Sequence, residues 1–294
     1  MENPVPVVVQ IVIFGLLSGS IYSLFALGLT LVMGAARILN LSHGDLGILG
    51  AYFAYWLFAT FSVDPIVSLV VVVPVIAMVG MGVQRYLINP AISDPRFRII
   101  ASVMITYGLA LLISNGETII WTPGYKFVNL SYSYRGFEIL GTMVNFPRLL
   151  VLVTSAAVAI CLMVFLRTRV GKAIQASAQD QMLAELVGIN CSRIAVITFS
   201  VSASLACIGG VLYILNNPLY PAVGLGLSVK GLTVMVLGGI GNVPGALIGG
   251  LLLGLAESST SFFLGDIYRE VVTYAVLVTI LLMRPGGIFG SFEN

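Results

Sequence analysis

The sequence predicts an all-α membrane protein that crosses the bilayer several times. Of its 294 residues, 59% are hydrophobic and 9% are charged, whereas about a quarter of the residues of an ordinary soluble domain are charged. The apolar residues come in blocks long enough to cross a bilayer. One block, LLVLVTSAAVAICLMVFL, has no charge between Arg148 and Arg167. Because the backbone must satisfy its own polar groups in lipid, such blocks form helices, and the alternating pattern of a membrane β-barrel is absent from the sequence.

Apolar blocks recur along the whole chain, so we expect one transmembrane domain, residues 1–294, made of about eight or nine spanning segments. The predicted segments lie near residues 7–33, 44–60, 66–88, 98–114, 147–166, 194–215, 228–241, 245–264 and 269–284. The first 36 residues contain no Lys or Arg, so the positively charged start of a secretory signal is missing and the first helix is expected to be retained. The three dispersed cysteines favour neither a disulfide framework nor a metal site.

The distribution of basic residues predicts the orientation in a cell (inner) membrane. One set of alternate connections contains Arg37, Arg85, Arg96, Arg98, Arg167, Arg169, Lys172, Arg193 and Arg284. The other set contains Lys126, Arg135, Arg148 and Arg269. Because basic residues are enriched in cytoplasmic connections, we expect the first set in the cytoplasm, with the N-terminus outside and the C-terminus inside.

Two connections are long, and their compositions differ. Residues 115–146 mix aromatic, β-branched, Gly and Pro residues, which favours a folded external cap or hairpin on the membrane surface. Residues 167–193 instead predict a cytoplasmic helical segment, because good helix formers run from Lys172 to Leu186 and Gly188 with Asn190 offers a stop. We expect this second connection to contact a soluble partner.

The segment Ser42-His43-Gly44-Asp45 contains the only histidine of the chain. It matches a capping box, in which Ser42 accepts from the amide of Asp45, Asp45 reaches back, and a helix runs from about Leu46. Alternatively, the segment interrupts a helix on a translocation path, where free amides of a helix N-terminus meet an anionic group of the substrate. The two interpretations are compatible.

Two predicted segments are rich in glycine. Gly44, Gly47 and Gly50 recur at intervals of three, whereas Gly241, Gly245 and Gly249 recur at intervals of four around Pro244. Small residues at these spacings allow helix backbones to approach closely, and Gly/Pro interruptions in both halves of a transporter also indicate broken helices beside a substrate path. Both interpretations stay open for each segment.

The sequence contains few other residues that suggest nucleotide binding, proton transfer or catalysis. No Gly-Lys-Ser/Thr follows the glycine-rich run, so a nucleotide site is not predicted. Glu257 and Asp45 are the only acidic candidates that we assign to spans, which is too few for a proton-coupled relay, and we interpret Glu257 as a group near a helix end that reaches the interface. One histidine and scattered acids do not form a catalytic constellation, so we do not expect an enzyme.

Three motifs together resemble the permease subunits of bacterial and archaeal branched-chain amino acid ABC importers. They are NLSHGDLGILGAY at 40–52, GKAIQASAQDQMLAELVGIN at 171–190 and VLGGIGNVPGALIGGLLLGLAES at 236–258. The chain looks most similar to the shorter of two permease partners, and urea, amide and ribose-type permeases share the architecture. The resemblance implies a second permease subunit, two cytoplasmic ATPases that use ATP, and an extracytoplasmic binding protein. It implies no cofactor in this chain and no nucleic acid partner.

The same resemblance marks candidate site residues. The translocation path and its broken helices would involve Asn40, Ser42, His43, Gly44, Asp45, Gly241, Pro244 and Gly245. The contact with the ATPase would involve Asp180, Met182, Leu183, Ala184, Glu185, Leu186 and Gly188.

Residues from about Gln179 to Val187 are expected to form the coupling helix that docks on the ATPase. Asp180 suits a helix N-cap or first turn, and Gly188 suits its end. Met182, Leu183, Leu186 and Val187 form an apolar stripe suited to a groove, with Ala184 expected at the seam. The alternative is that the stripe packs back onto the bundle itself.

Two other functions compete with an amino acid importer. A urea or amide ABC permease would share the same motifs, and an ion-coupled secondary carrier would act without partner subunits.

Overall fold

The computed structural model describes residues 4–92, 97–130, 132, 136–139, 142–284 and 286–289. The first helices are α1 (Pro4–Ala36), α2 (His43–Phe61), α3 (Pro65–Gly82) with a π-helical extension (Val83–Ile88), α4 (Asn89–Ala91) and α5 (Arg98–Trp121). Strands β1 (Gly136–Ile139) and β2 (Thr142–Asn145) follow. The remaining helices are α6 (Phe146–Leu166), α7 (Arg169–Gln179), α8 (Gln181–Leu186), α9 (Cys191–Ile214), α10 (Val223–Gly238), α11 (Val243–Leu264), a 3-10 turn (Asp266–Tyr268) and α12 (Arg269–Met283).

Among these described residues, 6 helices are long and apolar enough to cross a membrane. They are Val7–Ala36, Pro65–Ala91, Arg98–Trp121, Phe146–Leu166, Cys191–Ile214 and Val243–Leu264. Each of the nine predicted segments coincides with a helix, but α2, α10 and α12 do not meet this criterion. The chain is therefore a multi-pass helical membrane protein.

The core of the bundle is formed by α1 and α9, with α2, α10 and α11 packed around them. Backbone contact between α1 and α11 is especially close. A Cβ atom on Gly19 would lie 2.7 Å from the carbonyl oxygen of Gly250, and one on Gly254 would lie 2.3 Å from that of Gly15. Because only glycine leaves this space free, the two helices are held at backbone contact along much of their length.

The glycine-rich run at 238–250 is a helix–turn–helix rather than a helix broken in its middle. Gly241 lies in the turn with a φ of 81°, which favours glycine, and Pro244 lies in the first turn of α11. A Cβ atom on Gly245 would lie 2.0 Å from the carbonyl oxygen of Gly238. The predicted close helix packing is thus confirmed for Gly245 and Gly249, which both lie against α10. For Gly241 the prediction is wrong, because this residue lies in the turn.

The connection predicted at 115–146 contains a hairpin, as expected, in which β1 pairs antiparallel with β2. Its first part differs from the prediction, since α5 continues to Trp121. Lys126 exchanges two backbone hydrogen bonds with Leu219, and Tyr132 donates to Asp64 Oδ2 at 2.5 Å. Burial and this Asp64 carboxylate both raise the pKa of Tyr132. We call this side of the molecule the hairpin end.

The connection at 167–193 lies at the opposite end, which we call the α8 end. It forms two helices instead of one, because Asp180 is extended (φ −153°, ψ 114°) and separates α7 from α8. The Ser177 hydroxyl donates to the carbonyl of Ala35 at 3.1 Å, which holds α7 against the end of α1. Cys191, expected in the connection, begins α9. Arg96 and Arg135, used above for orientation, lie outside the described residues.

Replacing Gly245 by alanine is expected to destabilise the bundle by about 1–3 kcal/mol, because the added methyl group overlaps the Gly238 carbonyl and forces α10 and α11 apart. Gly108→Ala is the matched control, since nothing lies within 4 Å of its Cβ position on α5. The measurement is thermal unfolding of the detergent-solubilised protein. Equal melting temperatures for the two variants would contradict the close packing.

Candidate functional site

The polypeptide turns back into the bundle after α1. Residues 37–42 are not helical, and α2 begins at His43, which lies against Gly28. A Cβ atom on Gly28 would be 2.5 Å from His43 Cε1. Gly28 precedes the last residue of α1 by two helical turns, or about 12 Å. The helix α2 therefore begins inside the bundle and not at its α8 end.

A second helix begins at the same place. A Cβ atom on Gly44 would lie 1.9 Å from the carbonyl oxygen of Gly224, and one on Gly224 would lie 2.4 Å from Asp45 Oδ1. The N-termini of α2 and α10 thus meet within the bundle, and neither N-cap residue, Ser42 or Ala222, caps its own helix with a side chain. We call this meeting point the N-terminal junction.

Hydrogen bonds from other helices complete the N-terminal junction. The amide of Gly44 donates to Ser228 Oγ at 2.7 Å, and the Ser228 hydroxyl donates to the carbonyl of Leu41 at 2.7 Å. On the other side, two hydroxyl groups of α5 act as acceptors. The amide of Leu39 donates to Ser102 Oγ at 3.2 Å, and the amide of Leu41 donates to Thr106 Oγ1 at 3.1 Å. Side chains of α5 and α10 thus bind three amides and one carbonyl of the interrupted backbone.

The predicted capping box is wrong. The backbone amide and hydroxyl of Ser42 both donate to Asn40 Oδ1, at 3.1 and 2.8 Å. Ser42 has φ −79° and ψ 5°, and its side chain makes no capping hydrogen bond. Because an N-cap side chain usually needs an extended backbone to reach the first helical turn, Ser228 of another helix takes that role, and α2 begins three residues before Leu46.

His43 is fully buried at the N-terminal junction. Its Nδ1 atom lies 3.3 Å from Ser202 Oγ, and its ring is nearly perpendicular to that of Phe25 (85°), with the ring centroids 5.8 Å apart. Its Nε2 atom has no hydrogen-bond partner among the described residues. Among those residues no group of three His, Cys, Asp or Glu is placed to hold a metal ion. His43 is thus a packed residue in the interior of the junction.

The interface interpretation of Glu257 is wrong, since this residue is fully buried. Its carboxylate accepts from Tyr22 Oη at 2.6 Å and from Thr273 Oγ1, and it lies 3.0 Å from Lys230 Nζ. Arg269 Nη2 is 3.8 Å away. This network joins α1, α10, α11 and α12, and the sequence reasoning missed Lys230, whose charge stands alone in an apolar stretch.

Sequence reasoning also missed Glu117. The predicted span stopped at residue 114, but α5 continues to Trp121 and carries Glu117 into the bundle, where it is buried. The apolar residues that follow, Ile119 to Trp121, were the available signal. Asp45 and Glu257 are therefore not the only acidic residues in the bundle.

The α8 helix has the predicted ends. The Asp180 carboxylate accepts from the amides of Met182 and Leu183, at 2.8 and 3.1 Å. At the other end, Gly188 has a φ of 88°, its amide donates to the carbonyl of Glu185, and the amide of Ile189 donates to that of Ala184. These are the two hydrogen bonds of a Schellman motif, so the helix is defined at both ends by its own sequence.

The apolar stripe of α8 faces outward. Met182, Leu183, Leu186 and Val187 are 60–77% exposed, so among the described residues the stripe does not pack back onto the bundle. Ala184 differs from the prediction, because it is buried and faces the protein's own interior. Gln181 fixes the helix in place: its amide donates to the carbonyl of Ala35 at 2.8 Å, and its oxygen accepts from Arg98 at 2.6 Å.

Replacing Ser228 by alanine is expected to lower the stability of the protein by about 1–3 kcal/mol, because it leaves the buried amide of Gly44 and carbonyl of Leu41 without a partner. Ser204→Ala is the control, since Ser204 donates only to its own helix, at the Ser200 carbonyl. Thermal unfolding in detergent checks both variants. A Ser228→Ala protein as stable as Ser204→Ala would mean that the junction does not need this side chain.

Comparison with known proteins gives one consistent result. The family described as branched-chain amino acid transport system / permease component matches residues 11–281. The chain is 30% identical over 295 residues to the high-affinity branched-chain amino acid transport system permease protein LivH of Escherichia coli, covering 95% of this chain and 94% of LivH. It is also 30% identical over 298 residues to BraD of Pseudomonas aeruginosa, with 97% and 96% covered.

An archaeal relative is similar over almost the same length. The probable branched-chain amino acid transport permease protein LivH of Methanocaldococcus jannaschii is 28% identical over 283 residues, covering 91% of this chain and 88% of that protein. The resemblance inferred from the three motifs is thus confirmed. The chain belongs to the permease component family of branched-chain amino acid transport systems.

Proposed function

We propose that this permease forms the translocation path of an ABC importer for branched-chain or other amino acids. The observation that carries the proposal is the match to LivH and BraD along nearly the whole of all three chains. Import proceeds by alternating access, powered by ATP that partner subunits hydrolyse. The chain itself has a transport role and not an enzymatic one.

The proposed assembly contains a second, homologous permease, two cytoplasmic ATPases and an extracytoplasmic solute-binding protein. Membrane lipid surrounds the permease pair, and neither a nucleic acid nor a cofactor of this chain takes part. The family supports the general composition, since its permease components work within transport systems. The exposed apolar stripe of α8 supports the contact with a soluble subunit.

In the proposed orientation the α8 end is cytoplasmic and the hairpin end is external. The N-terminus is then outside and the C-terminus inside, in an inner membrane, and residues 1–294 form one domain with about eight or nine segments that enter the membrane. Residues 115–146 are the external connection and residues 167–193 the coupling connection. Two contacts support this orientation, because each lies near a basic residue that we assign to the cytoplasm. Arg98 donates to Gln181 of α8. Beyond Arg284, the amide of Ile288 donates to the carbonyl of Leu237, beside the α10–α11 turn.

The proposed path passes the N-terminal junction, formed by Asn40, Ser42, His43, Gly44 and Asp45 with the start of α10. Helix N-termini inside a membrane domain offer partial positive charge and amide donors to an anionic group. On this proposal they bind the carboxylate of the amino acid. Gly241, Pro244 and Gly245 belong to the α10–α11 turn, which holds the opposite end of α10 in place.

The proposed coupling element is α8 with its two capping residues. Met182, Leu183 and Leu186 form the surface that enters a groove of the ATPase, and Glu185 lies beside them on the exposed side. Asp180 and Gly188 set the ends of the helix, and Ala184 anchors it to the permease. Through Gln181, movement of α8 reaches both the end of α1 and the start of α5.

Leu183→Arg is expected to weaken co-purification of the ATPases and to abolish solute-stimulated ATP hydrolysis, because a charge would enter an apolar contact. Leu183→Met is the control, since it keeps an apolar side chain of similar volume. Leu183 is exposed, so insertion and thermal stability of the isolated permease are expected to be unchanged. Full coupling in the arginine variant would mean that α8 is not the contact.

Uptake by the reconstituted importer tests the proposed function directly. Proteoliposomes containing both permeases and both ATPases, supplied with binding protein and ATP, are expected to accumulate radiolabelled leucine, isoleucine or valine. Omission of ATP or of the ATPases is expected to stop accumulation. Uptake of urea or amides alone would support a urea-type permease, and accumulation driven by an ion gradient without partner subunits would support a secondary carrier.

A further inference from the structure

Three polar side chains of α2 and α5 are buried and have polar atoms without a hydrogen-bond partner in the described part of the chain. Asp45, Tyr52 and Glu117 are 2%, 0% and 1% exposed, respectively. Asp45 Oδ2, Tyr52 Oη and both carboxylate oxygens of Glu117 make no hydrogen bond with the described part of the chain. Buried polar groups in native proteins are nearly always paired, so three neighbouring exceptions require an explanation.

These groups lie near one another, where α2 contacts α5. Asp45 and Tyr52 are seven residues apart on α2, which is about two turns and therefore the same face. The ring of Tyr52 stacks on Trp121 of α5, with centroids 5.0 Å apart and planes at 24°. Glu117 precedes Trp121 by one turn and so lies between the levels of Asp45 and Tyr52. Asp45 and Glu117 interact electrostatically, as do Glu117 and Tyr52.

Glu257 shows how the same bundle treats an acid that has a structural role. Its two oxygens accept hydrogen bonds from Tyr22 and Thr273, and its carboxylate forms an ion pair with Lys230. Neither Asp45 nor Glu117 forms an ion pair with the described residues. Because an uncompensated carboxylate inside a membrane is costly, such residues usually mark a ligand or ion pathway.

We propose that Asp45, Glu117 and Tyr52 form the binding site for the ammonium group of the transported amino acid. This inference rests on the proposed function and names the chemistry of its path. An ammonium group has three N–H donors, which two carboxylates and a phenolic oxygen can accept, and its positive charge offsets the buried carboxylates.

The position of the site suits a zwitterion. Gly224 at the start of α10 lies so close to Asp45 that a Cβ atom there would be 2.4 Å from Oδ1. The amides proposed to bind the carboxylate and the acids proposed to bind the ammonium group are therefore neighbours, as the two ends of an α-amino acid are. A neutral amide would offer no positive charge to this site.

The site is closed in this structure, and α5 is the element that closes it. Along the whole of α5, all of whose residues are described, the buried residues are Ser102, Thr106, Ala110 and Glu117. They form one narrow face made of small or polar side chains. On this proposal α5 separates from α2 to admit the substrate, which breaks the stacking of Trp121 on Tyr52 and the packing of Ile105, Leu109 and Ile113 on the core.

The test uses the complete importer with Glu117→Gln and Asp45→Asn in this chain. Each variant is expected to reduce amino acid uptake about tenfold or more, the loss typical of one charge-assisted hydrogen bond. Assembly with the partners, measured by co-purification, is expected to be retained. Glu138→Gln, on the exposed hairpin strand, is the control and is expected to transport normally.

The amide variants also separate the proposal from a purely structural role. Asn and Gln resemble protonated carboxylic acids in shape, so normal uptake in both variants would mean that the acids are neutral packing groups and would overturn the proposal. If an amide variant assembles poorly, Tyr52→Phe replaces it, since it removes one acceptor without changing the charge. Unchanged uptake in Tyr52→Phe would then contradict the site.

A last arm distinguishes an inorganic cation from the substrate. Replacing Na⁺ and K⁺ by N-methylglucamine is expected to leave wild-type uptake unchanged. A requirement for Na⁺ or K⁺ that disappears in Glu117→Gln would assign the site to a metal cation and overturn the proposal. Failure of the wild-type importer to move any amino acid would instead refute the proposed function, so the two failures are distinguishable.

Discussion

The constraint on which this structure depends is the need to satisfy backbone groups where helices are interrupted inside a membrane. Since α2 and α10 both begin within the bundle, residues 37–42 carry amides and carbonyls to a depth where lipid offers no partner. Ser102 and Thr106 of α5 and Ser228 of α10 supply those partners. This explains why the buried face of a spanning helix, α5, is polar.

The same constraint explains where glycine is needed. A serine can cap the amide of a neighbouring helix only if the two backbones come within one side chain of each other, and at the N-terminal junction Gly44 and Gly224 allow this approach. Elsewhere glycine serves a different purpose, holding α1 against α11 at backbone contact. The result is a close-packed core of α1, α9 and α11, beside an α5 that is held by hydrogen bonds to residues 39–41 and by the stacking of Trp121 on Tyr52.

Local signals in the sequence predicted local structure well. The ends of α8 follow from Asp180 and Gly188, because a cap and a left-handed stop involve only residues close in the chain. Tertiary contacts were not predictable in this way. Ser42 matches a capping box, yet its hydroxyl donates to Asn40 Oδ1. The amide of Gly44 is instead capped by Ser228, 184 residues away in the sequence.

The pairing of Lys230 with Glu257 was hidden for the same reason, since the two residues lie on different helices. The orientation of Ala184 depends on the bundle surface beneath α8, which no pattern within that helix reveals. Glu117 was missed because a span was ended too early, at the residues where the helix becomes less apolar. Of the candidate site, the ends of α8 at Asp180 and Gly188 were thus predictable, whereas contacts made across helices, including those of Ser42, were not.

The two regions of proposed function are connected by Gln181. Its side chain joins α8 to the carbonyl of Ala35, two residues before the non-helical segment 37–42 begins. It also joins α8 to Arg98, the first residue of α5. A displacement of α8 is therefore applied to the two elements that flank the N-terminal junction. Glycine holds α1 and α11 at backbone contact, so we expect these two helices to move together. On the proposed function, this motion opens the contact between α5 and α2 that covers Asp45 and Glu117.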